Sequence, residues 1–202
     1  MNRTNKILLV FALLFILWYI APLYTKPVVI ENVLTHEECD HIKNIANKRL
    51  STSTVSMSRD VDTKVRQSET AWIKPGEDKV VKKLMDKCLE NIDRPPENCE
   101  DLQVLRYKKG GFYNPHQDAF QNDKNRRMYT FIIALNDDYE EGGTNFPNLN
   151  KTYKLKKGDS LFFHTLNNYE CITKKALHGG LPVKSGEKWI CNLWVHKHPY
   201  TA

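Results

Sequence analysis

Short strands separated by turn residues fill the second half of the chain, and this pattern limits the fold more than any other feature. Turn clusters such as Lys109-Gly110-Gly111 and Lys157-Gly158-Asp159 divide apolar or alternating segments. The predicted strands are Leu102–Tyr107, Tyr129–Leu135, Thr152–Leu155, Ser160–His164, Ala176–Gly179 and Lys188–His196. Because 202 residues suit one domain, we expect a single mostly β fold, a sandwich or barrel.

Two predicted helices precede these strands. Thr35, with Glu38 at the third helical position, predicts a capped helix that ends near Arg49. A second helix is expected from about Asp78 to Ile92, with one apolar face formed by Val80, Val81, Leu84, Met85 and Leu89. The shorter segments are two predicted strands and one polar loop or exposed strand, namely Val28–Leu34, Thr70–Ile73 and Ser51–Asp62. Helices followed by many strands favour helices that pack outside one sheet.

An uncharged run of 18 residues, Ile7 to Tyr24, lies near the N-terminus. As a helix it would span about 27 Å, which is just enough to cross a hydrocarbon core. Arg3 and Lys6 precede the run and favour a cytoplasmic N-terminus. We therefore predict a cytoplasmic segment (1–6), a signal-anchor transmembrane helix (7–24) and an exported domain (25–202) in a single-pass type II protein, facing the ER lumen or another extracytoplasmic side.

Two alternatives to the anchor remain open. One is a cleaved signal peptide, for which Ala21 followed by Pro22 makes a poor cleavage site, and the other is a buried helix of the fold. The five cysteines suit an oxidising compartment, and because five is odd at least one thiol is unpaired within the chain. Cys88 and Cys99 flank a turn and could form a disulfide, whereas Cys191 is expected to be a buried thiol.

The charge balance argues against nucleic acid as a partner. Lysine and arginine total 30 against 24 acidic residues, a net charge of +6. A nucleic-acid binder normally gathers its basic residues on one face. The nearest such group here, Lys124 with Arg126 and Arg127, is short and interrupted by polar residues.

The segment around His116 carries the strongest chemical signal. His116 and Asp118 are two residues apart, so on an extended segment both side chains point to the same side. His178 follows at the end of another predicted strand. Two histidines and one carboxylate form the facial triad of non-haem Fe(II) oxygenases, which leaves metal positions open for cosubstrate and O₂. The alternative for the His-x-Asp pair alone is a surface turn.

Lys188 begins an otherwise apolar strand ten residues after His178. A buried ammonium group needs an anionic partner, and the far carboxylate of a dicarboxylate cosubstrate would supply one. The alternative is an exposed lysine at a turn.

Several ordered motifs resemble the catalytic domain of prolyl 4-hydroxylases. They are Glu100 to Asp118, Glu140-Glu141-Gly142-Gly143-Thr144-Asn145-Phe146-Pro147, Lys157 to Phe163, and His178 to His196, with Val65-Arg66-Gln67-Ser68 and Trp72 upstream. The resemblance covers roughly residues 28–198. It implies a double-stranded β-helix, or jelly roll, that uses Fe(II), 2-oxoglutarate and O₂, with L-ascorbate to keep the iron reduced.

The resemblance also implies roles for individual residues. His116, Asp118 and His178 would hold iron, Lys188 would pair with the C5 carboxylate of 2-oxoglutarate, and Tyr107 would lie at the cosubstrate pocket. The residues expected to line a peptide channel are Arg66, Tyr113, Arg127 and Trp194.

The implied reaction is 4-hydroxylation of prolyl residues in Pro-rich or collagen-like peptides, coupled to decarboxylation of 2-oxoglutarate to succinate. The same chemistry on another residue, such as lysine, and an inactive membrane-anchored binding module are the alternatives. The segment after Asp118 is short and polar, and His164 with Thr165 departs from the family pattern; these departures concern substrate specificity and not the chemistry. The sequence leaves the oligomeric state open.

Overall fold

The computed structural model describes residues 5–7, 10–11, 23–54 and 61–201. Most of the predicted transmembrane segment at 7–24 therefore lies outside the described residues. Within the described parts of the chain, no helix combines the length and the hydropathy needed to cross a membrane.

A seven-stranded antiparallel sheet, called here the major sheet, is the larger layer of the domain. From edge to edge it contains β1 (Val28–Ile30), β10 (Ser160–His164), β6 (Arg127–Ala134), β13 (Lys188–His196), β4 (Leu102–Tyr107), β3 (Glu69–Ile73) and β2 (Ser51–Thr52). The long central strand β13 pairs with β4 on one side and with β6 on the other.

A four-stranded minor sheet faces the major sheet. Its order is β5 (Tyr113–His116), β11 (His178–Gly180), β8 (Thr144–Phe146) and β9 (Lys151–Tyr153), and a two-stranded ribbon is formed by β12 (Val183–Ser185) and β7 (Glu140–Glu141). Between the sheets lies a core that includes Leu105, Ile132, Phe146, Phe163 and Ile190. The arrangement is a mostly β fold of two facing sheets, as expected of a jelly roll.

Two helices cover the outer face of the major sheet, as the order of elements predicts. They are α1 (His36–Asn47) and α2 (Lys79–Leu89), and four short 3-10 helices occur at Pro75–Glu77, Pro96–Asn98, Pro147–Leu149 and Lys174–Ala176. Thr35 and Glu38 form the predicted capping box at the start of α1. Both helices bury their apolar sides in one cluster with the outward-facing residues of the sheet, among them Val104, Phe131 and Ile133.

The cysteines of this fold are all free thiols. Cys39, Cys88 and Cys191 are buried, and Cys191 is the buried thiol that its strand predicted. The disulfide suggested between Cys88 and Cys99 is wrong for this structure, in which the turn between them is held without it.

Candidate active site: a two-histidine, one-aspartate centre

The pairing of β5 with β11 brings the two predicted histidines together. His178 lies directly opposite His116 in the antiparallel register, and the ring centroids are 4.5 Å apart. Asp118 follows two residues after His116 on the same side. One ligand atom from each of the three residues lies within 4.8 Å of the others.

Both imidazoles are oriented by the same local device. His116 Nδ1 lies 2.9 Å from the carbonyl oxygen of Asn114, and His178 Nδ1 lies 3.0 Å from that of Ala176. A carbonyl only accepts hydrogen bonds, so each Nδ1 carries the proton and each Nε2 presents a lone pair. The two Nε2 atoms are the ones that face Asp118, each at 3.6 Å.

Asp118 is buried and held by a hydroxyl. Thr130 Oγ1 donates to Asp118 Oδ2 at 2.7 Å, and this oxygen also faces His178, whereas Oδ1 faces His116. Burial by itself would raise the pKa of Asp118, but His178, His116 and Arg127 outweigh it and lower the pKa. Burial, followed by the neighbouring His178, lowers the pKa of His116 to about 3. The site therefore presents an ionised carboxylate and a neutral imidazole.

This donor set fits a divalent transition metal. Lone pairs on two imidazole nitrogens and one carboxylate converge while both ring N–H groups are used elsewhere. Such a cluster is mutually repulsive without a cation, and two histidines with one carboxylate suit Fe(II) with open positions.

A buried lysine lies at the start of β13, on the face that points toward the minor sheet. Lys188 is 3% exposed and stands opposite Tyr107 in the register of β13 with β4. Its Nζ donates to the Gly142 carbonyl at 2.6 Å and lies 5.4 Å from the centroid of the Tyr107 ring. Burial lowers the pKa of Lys188 to about 8. Among the described residues no carboxylate pairs with this ammonium, so it is suited to an anionic ligand.

A cavity of about 840 Å³, called here the groove, opens beside His116 and Asp118. All four predicted channel residues line it, and they form two stacked pairs. The Arg66 guanidinium lies 4.5 Å from the Tyr113 ring, which itself stacks on His116 at 3.7 Å. The Arg127 guanidinium lies 3.8 Å from the Trp194 ring. The structure thus places these residues in one groove leading to the metal ligands.

Glu100 and His196 complete the groove but were not predicted as site residues. Glu100 accepts from Arg127 Nε at 2.5 Å and Nη2 at 2.9 Å, and it lies 2.8 Å from His196 Nε2. Burial would raise the pKa of Glu100, but the hydrogen bonds from His196 and Arg127 lower it. The alternation of side chains along β13 could have predicted His196 as a site residue, because it lies on the same inward face as Lys188 and Trp194.

Trp72 also lines the groove, on the inward face of β3. Its ring centroid lies 6.2 Å from that of Trp194, and the side chain is 46% exposed. Trp72 belongs to the upstream residues that carry the family resemblance, which implied no role for it.

A jelly roll that carries this triad at the mouth of its inter-sheet core defines the class of non-haem iron oxygenases. Comparison with known proteins gives the family. The model of the 2OG-Fe(II) oxygenase superfamily matches residues 102–196. A putative prolyl 4-hydroxylase of Acanthamoeba polyphaga mimivirus is 36% identical over 189 residues, covering 88% of this chain and 77% of the relative.

Two further relatives agree. A probable prolyl 4-hydroxylase of Arabidopsis thaliana is 32% identical over 199 residues, covering 85% of this chain and 69% of its own length. The crystal structure of a viral collagen prolyl hydroxylase from Paramecium bursaria Chlorella virus-1, in complex with 2-oxoglutarate, matches with a TM-score of 0.71 at 35% identity, covering 85% of this chain and 96% of that one. The chain belongs to the prolyl 4-hydroxylase family of 2-oxoglutarate- and Fe(II)-dependent oxygenases.

Membership identifies the protein as a dioxygenase whose cofactor and cosubstrates are Fe(II), 2-oxoglutarate and O₂, with L-ascorbate as the accompanying reductant. The triad and the buried lysine are the residues of this chain that fit the metal and the dicarboxylate.

Proposed function

We propose that the protein 4-hydroxylates prolyl residues in Pro-rich or collagen-like peptides. His116, Asp118 and His178 hold Fe(II), and Lys188, beside Tyr107, pairs with the far carboxylate of 2-oxoglutarate. The bound iron and cosubstrate couple decarboxylation of 2-oxoglutarate to insertion of one oxygen atom into a C–H bond. The protein contributes by orienting the ligands and aiming the peptide.

One observation carries the choice of an extended peptide. Four buried polar atoms that have no hydrogen-bond partner among the described residues belong to side chains lining the cavity: Arg66 Nη2, Trp194 Nε1, Gln117 Oε1 and Asn192 Oδ1. Two are donors and two are acceptors. Buried polar groups normally have partners. A peptide backbone offers both carbonyls and N–H groups, so it matches this mixed set.

The shape of a proline-rich chain suits the same groove. A polyproline II segment has no internal hydrogen bonds, so its carbonyls are free to accept from Arg66 and Trp194. It is already extended, and it loses little conformational entropy on binding. The rings of Trp194 and Trp72 provide apolar surfaces against which pyrrolidine rings can pack.

The two unpartnered acceptors favour peptides that are not proline alone. Proline has no backbone N–H, so in a bound peptide only other residues, such as glycine, can donate a backbone N–H to Gln117 Oε1 and Asn192 Oδ1. Collagen-like repeats offer such N–H groups at regular intervals.

The experiment incubates the full chain with Fe(II), 2-oxoglutarate, ascorbate and one of three peptides: a collagen-like repeat, poly-proline, or a lysine-containing peptide of equal length. We expect succinate together with a peptide mass gain of one oxygen atom on the prolyl substrates, and 4-hydroxyproline after hydrolysis. His178→Ala, which removes an iron ligand, is the inactive control. Oxygen on the lysyl peptide alone would support the lysyl alternative. Peptide binding without succinate would support the binding module.

We further propose that residues 7–24 anchor the protein in a membrane, with the catalytic domain in the ER lumen or on another extracytoplasmic side. The support is the uncharged run itself and the position of Arg3 and Lys6 before it. This proposal is independent of the chemistry at the iron site.

A further inference from the structure

The segment that follows the apolar run is part of the domain and not a free linker. Tyr24, the last residue of the run, is 4% exposed, and its hydroxyl donates to the His164 carbonyl at 3.0 Å. The backbone N–H of Asn168 donates to the Leu23 carbonyl at 3.0 Å. Thr25 Oγ1 lies 3.0 Å from Asn168 Oδ1. The folded domain therefore begins at the residue where the apolar run ends.

Exposed apolar side chains gather at this point. Leu23, Val28 and Tyr169, together called the stem face, are 57%, 49% and 51% exposed. Val29 is also exposed, but it follows Val28 in β1 and points to the opposite side of the strand. In the described residues from 23 onwards, the other exposed large hydrophobic side chains are Val61, Trp72, Leu181 and Tyr200, of which Trp72 and Tyr200 line the substrate groove. Three of these eight exposed apolar residues thus lie where the chain enters the domain.

An aromatic layer supports the stem face. Val28 stands opposite Phe162 in the β1–β10 register, and the rings of Phe162 and His164 have centroids 5.5 Å apart. Tyr129 lies against both, at 5.7 Å from Phe162 and 5.0 Å from His164. Burial lowers the pKa of His164, so this histidine is neutral at neutral pH. The layer adds no charge to the surface.

We infer that the stem face lies against the lipid bilayer and holds the catalytic domain in one orientation at the membrane surface. The inference rests on the proposed anchor, because the residues immediately before Leu23 are those of the apolar run. Tyrosine side chains favour the interface between headgroups and acyl chains, where an apolar ring and a hydroxyl are both accommodated. Leu23 and Val28 lose exposed apolar surface at the same boundary.

A bilayer is the partner proposed for the stem face because the apolar run leads directly into it. With no linker between Tyr24 and the domain, a spanning helix would bring its bilayer within a few residues of Tyr169. A second protein copy would have to compete with that lipid surface for the same side chains.

A native thiol allows a direct test. Cys171 is exposed and lies two residues from Tyr169, whereas Cys39, Cys88 and Cys191 are buried and Cys99 is half-buried. The full chain, labelled at Cys171 with a fluorescent thiol reagent, is reconstituted into phosphatidylcholine vesicles that contain lipids brominated near the top of the acyl chain. The control carries Cys171→Ser with Ser51→Cys, which moves the label to the exposed β2 strand at the opposite edge of the major sheet.

We expect at least twofold stronger quenching at position 171 than at position 51. Equal quenching at the two positions, in protein that floats with the vesicles after alkaline washing, would overturn the docking inference alone. Failure to float would overturn the anchor, and with it the docking. Hydroxylation of a soluble peptide by the same samples reports on the active site separately.

Discussion

At the scale of single residues, the metal ligands are held by groups that do not themselves bind metal. Backbone carbonyls two residues upstream orient both histidines, and a threonine hydroxyl orients Asp118. Such supporting contacts commonly change metal affinity by about 10- to 100-fold when removed. Of these three contacts, only the one from Thr130 comes from a side chain, so it is the one that a substitution can remove.

Thr130→Val replaces the hydroxyl by a methyl group of similar volume and leaves Asp118 Oδ2 without its donor. We expect the iron concentration needed for half-maximal activity to rise about tenfold or more, with activity recovering at high iron. Thr130→Ser keeps the hydroxyl and should restore the wild-type iron requirement. An unchanged requirement in Thr130→Val would show that the hydroxyl does not position the ligand.

Lys188→Ala removes the buried cation proposed to bind the cosubstrate. We expect the KM for 2-oxoglutarate to rise on the order of 100-fold, the effect of losing about 3 kcal/mol from a buried charge pair. Because the pKa of Lys188 is lowered to about 8 in the absence of a carboxylate, the cation is present below that pH and lost above it. Affinity for 2-oxoglutarate should therefore fall as pH rises through about 8.

Calorimetric titration of 2-oxoglutarate at about pH 7 and about pH 9 measures this loss, which is expected to be up to tenfold per pH unit above the pKa. Lys188→Arg keeps a charge at both pH values and is the matched control, since arginine does not deprotonate in this range. A wild-type affinity that does not change across pH 8 would place the dicarboxylate elsewhere.

Glu100→Gln tests the groove away from the iron. The carboxylate holds Arg127 flat against Trp194 through two hydrogen bonds, so its loss frees a guanidinium in the groove. We expect a higher KM for peptide, an unchanged KM for 2-oxoglutarate, and about 3 kcal/mol less stability to unfolding. Glu69→Gln, which breaks the Arg106 ion pair outside the cavity, should leave both KM values unchanged.

The residues of the site differed in how far sequence could predict them. His116 and Asp118 were found because a spacing of two on a strand puts both on one side, a purely local rule. Glu100 and His196 are 96 residues apart and meet only through the pairing of long strands. No local pattern connects them, so the sequence analysis missed their contact.

At the scale of elements, strand length decided which predictions succeeded. The strands predicted at Leu102–Tyr107, Ser160–His164 and Lys188–His196 have these bounds in the structure, since long apolar or alternating segments are recognisable by themselves. Strands β7, β8 and β12 were missed because each has only two or three residues. Such short segments become strands only because they pair with other strands, which no local pattern shows. For the same reason the strand predicted at Ala176–Gly179 begins in the structure at His178.

Gly179 tests whether the closeness of β5 and β11 is needed for metal binding. A Cβ atom at this position would lie 2.7 Å from the Tyr113 carbonyl oxygen and 2.9 Å from Pro115 N, both backbone atoms that cannot move aside cheaply. We expect Gly179→Ala to push the strands apart, separate His178 from His116, and weaken iron binding by at least tenfold while the domain stays folded.

The control is Gly76→Ala, where nothing lies within 4 Å of the added carbon, so iron binding should be unaffected. Circular dichroism checks that both variants are folded, and titration with iron under anaerobic conditions compares their affinities. Wild-type iron affinity in a folded Gly179→Ala variant would show that iron binding does not require the close spacing of β5 and β11.

At the scale of the whole molecule, the domain has three layers: the two helices, the major sheet and the minor sheet. The helices and the outer face of the major sheet form one apolar cluster, and the inter-sheet core forms a second. His178 packs on Phe146 and Phe163 of the second core, so the candidate iron site is built on the inter-sheet core. Among the described residues, the substrate groove and the stem face both expose apolar side chains, and each has its own proposed partner.

The last prediction concerns the orientation of the whole chain. Arg3 and Lys6 precede the apolar run, while Lys26 follows it and the next basic residue is Lys43. This asymmetry predicts a cytoplasmic N-terminus and a catalytic domain on the other side of the membrane. In sealed microsomes from a eukaryotic host, added protease should leave the domain intact until detergent opens the vesicles.

In that orientation Asn150-Lys151-Thr152 faces the glycosylating compartment, and Asn150 is exposed directly before β9. We expect a glycan there that Asn150→Gln removes, whereas Asn2-Arg3-Thr4 stays unmodified on the cytoplasmic side. Digestion of the domain in sealed vesicles would reverse the orientation. A mature N-terminus near Thr25 or Lys26 would instead identify the run as a cleaved signal, and it would separate the domain from the bilayer altogether.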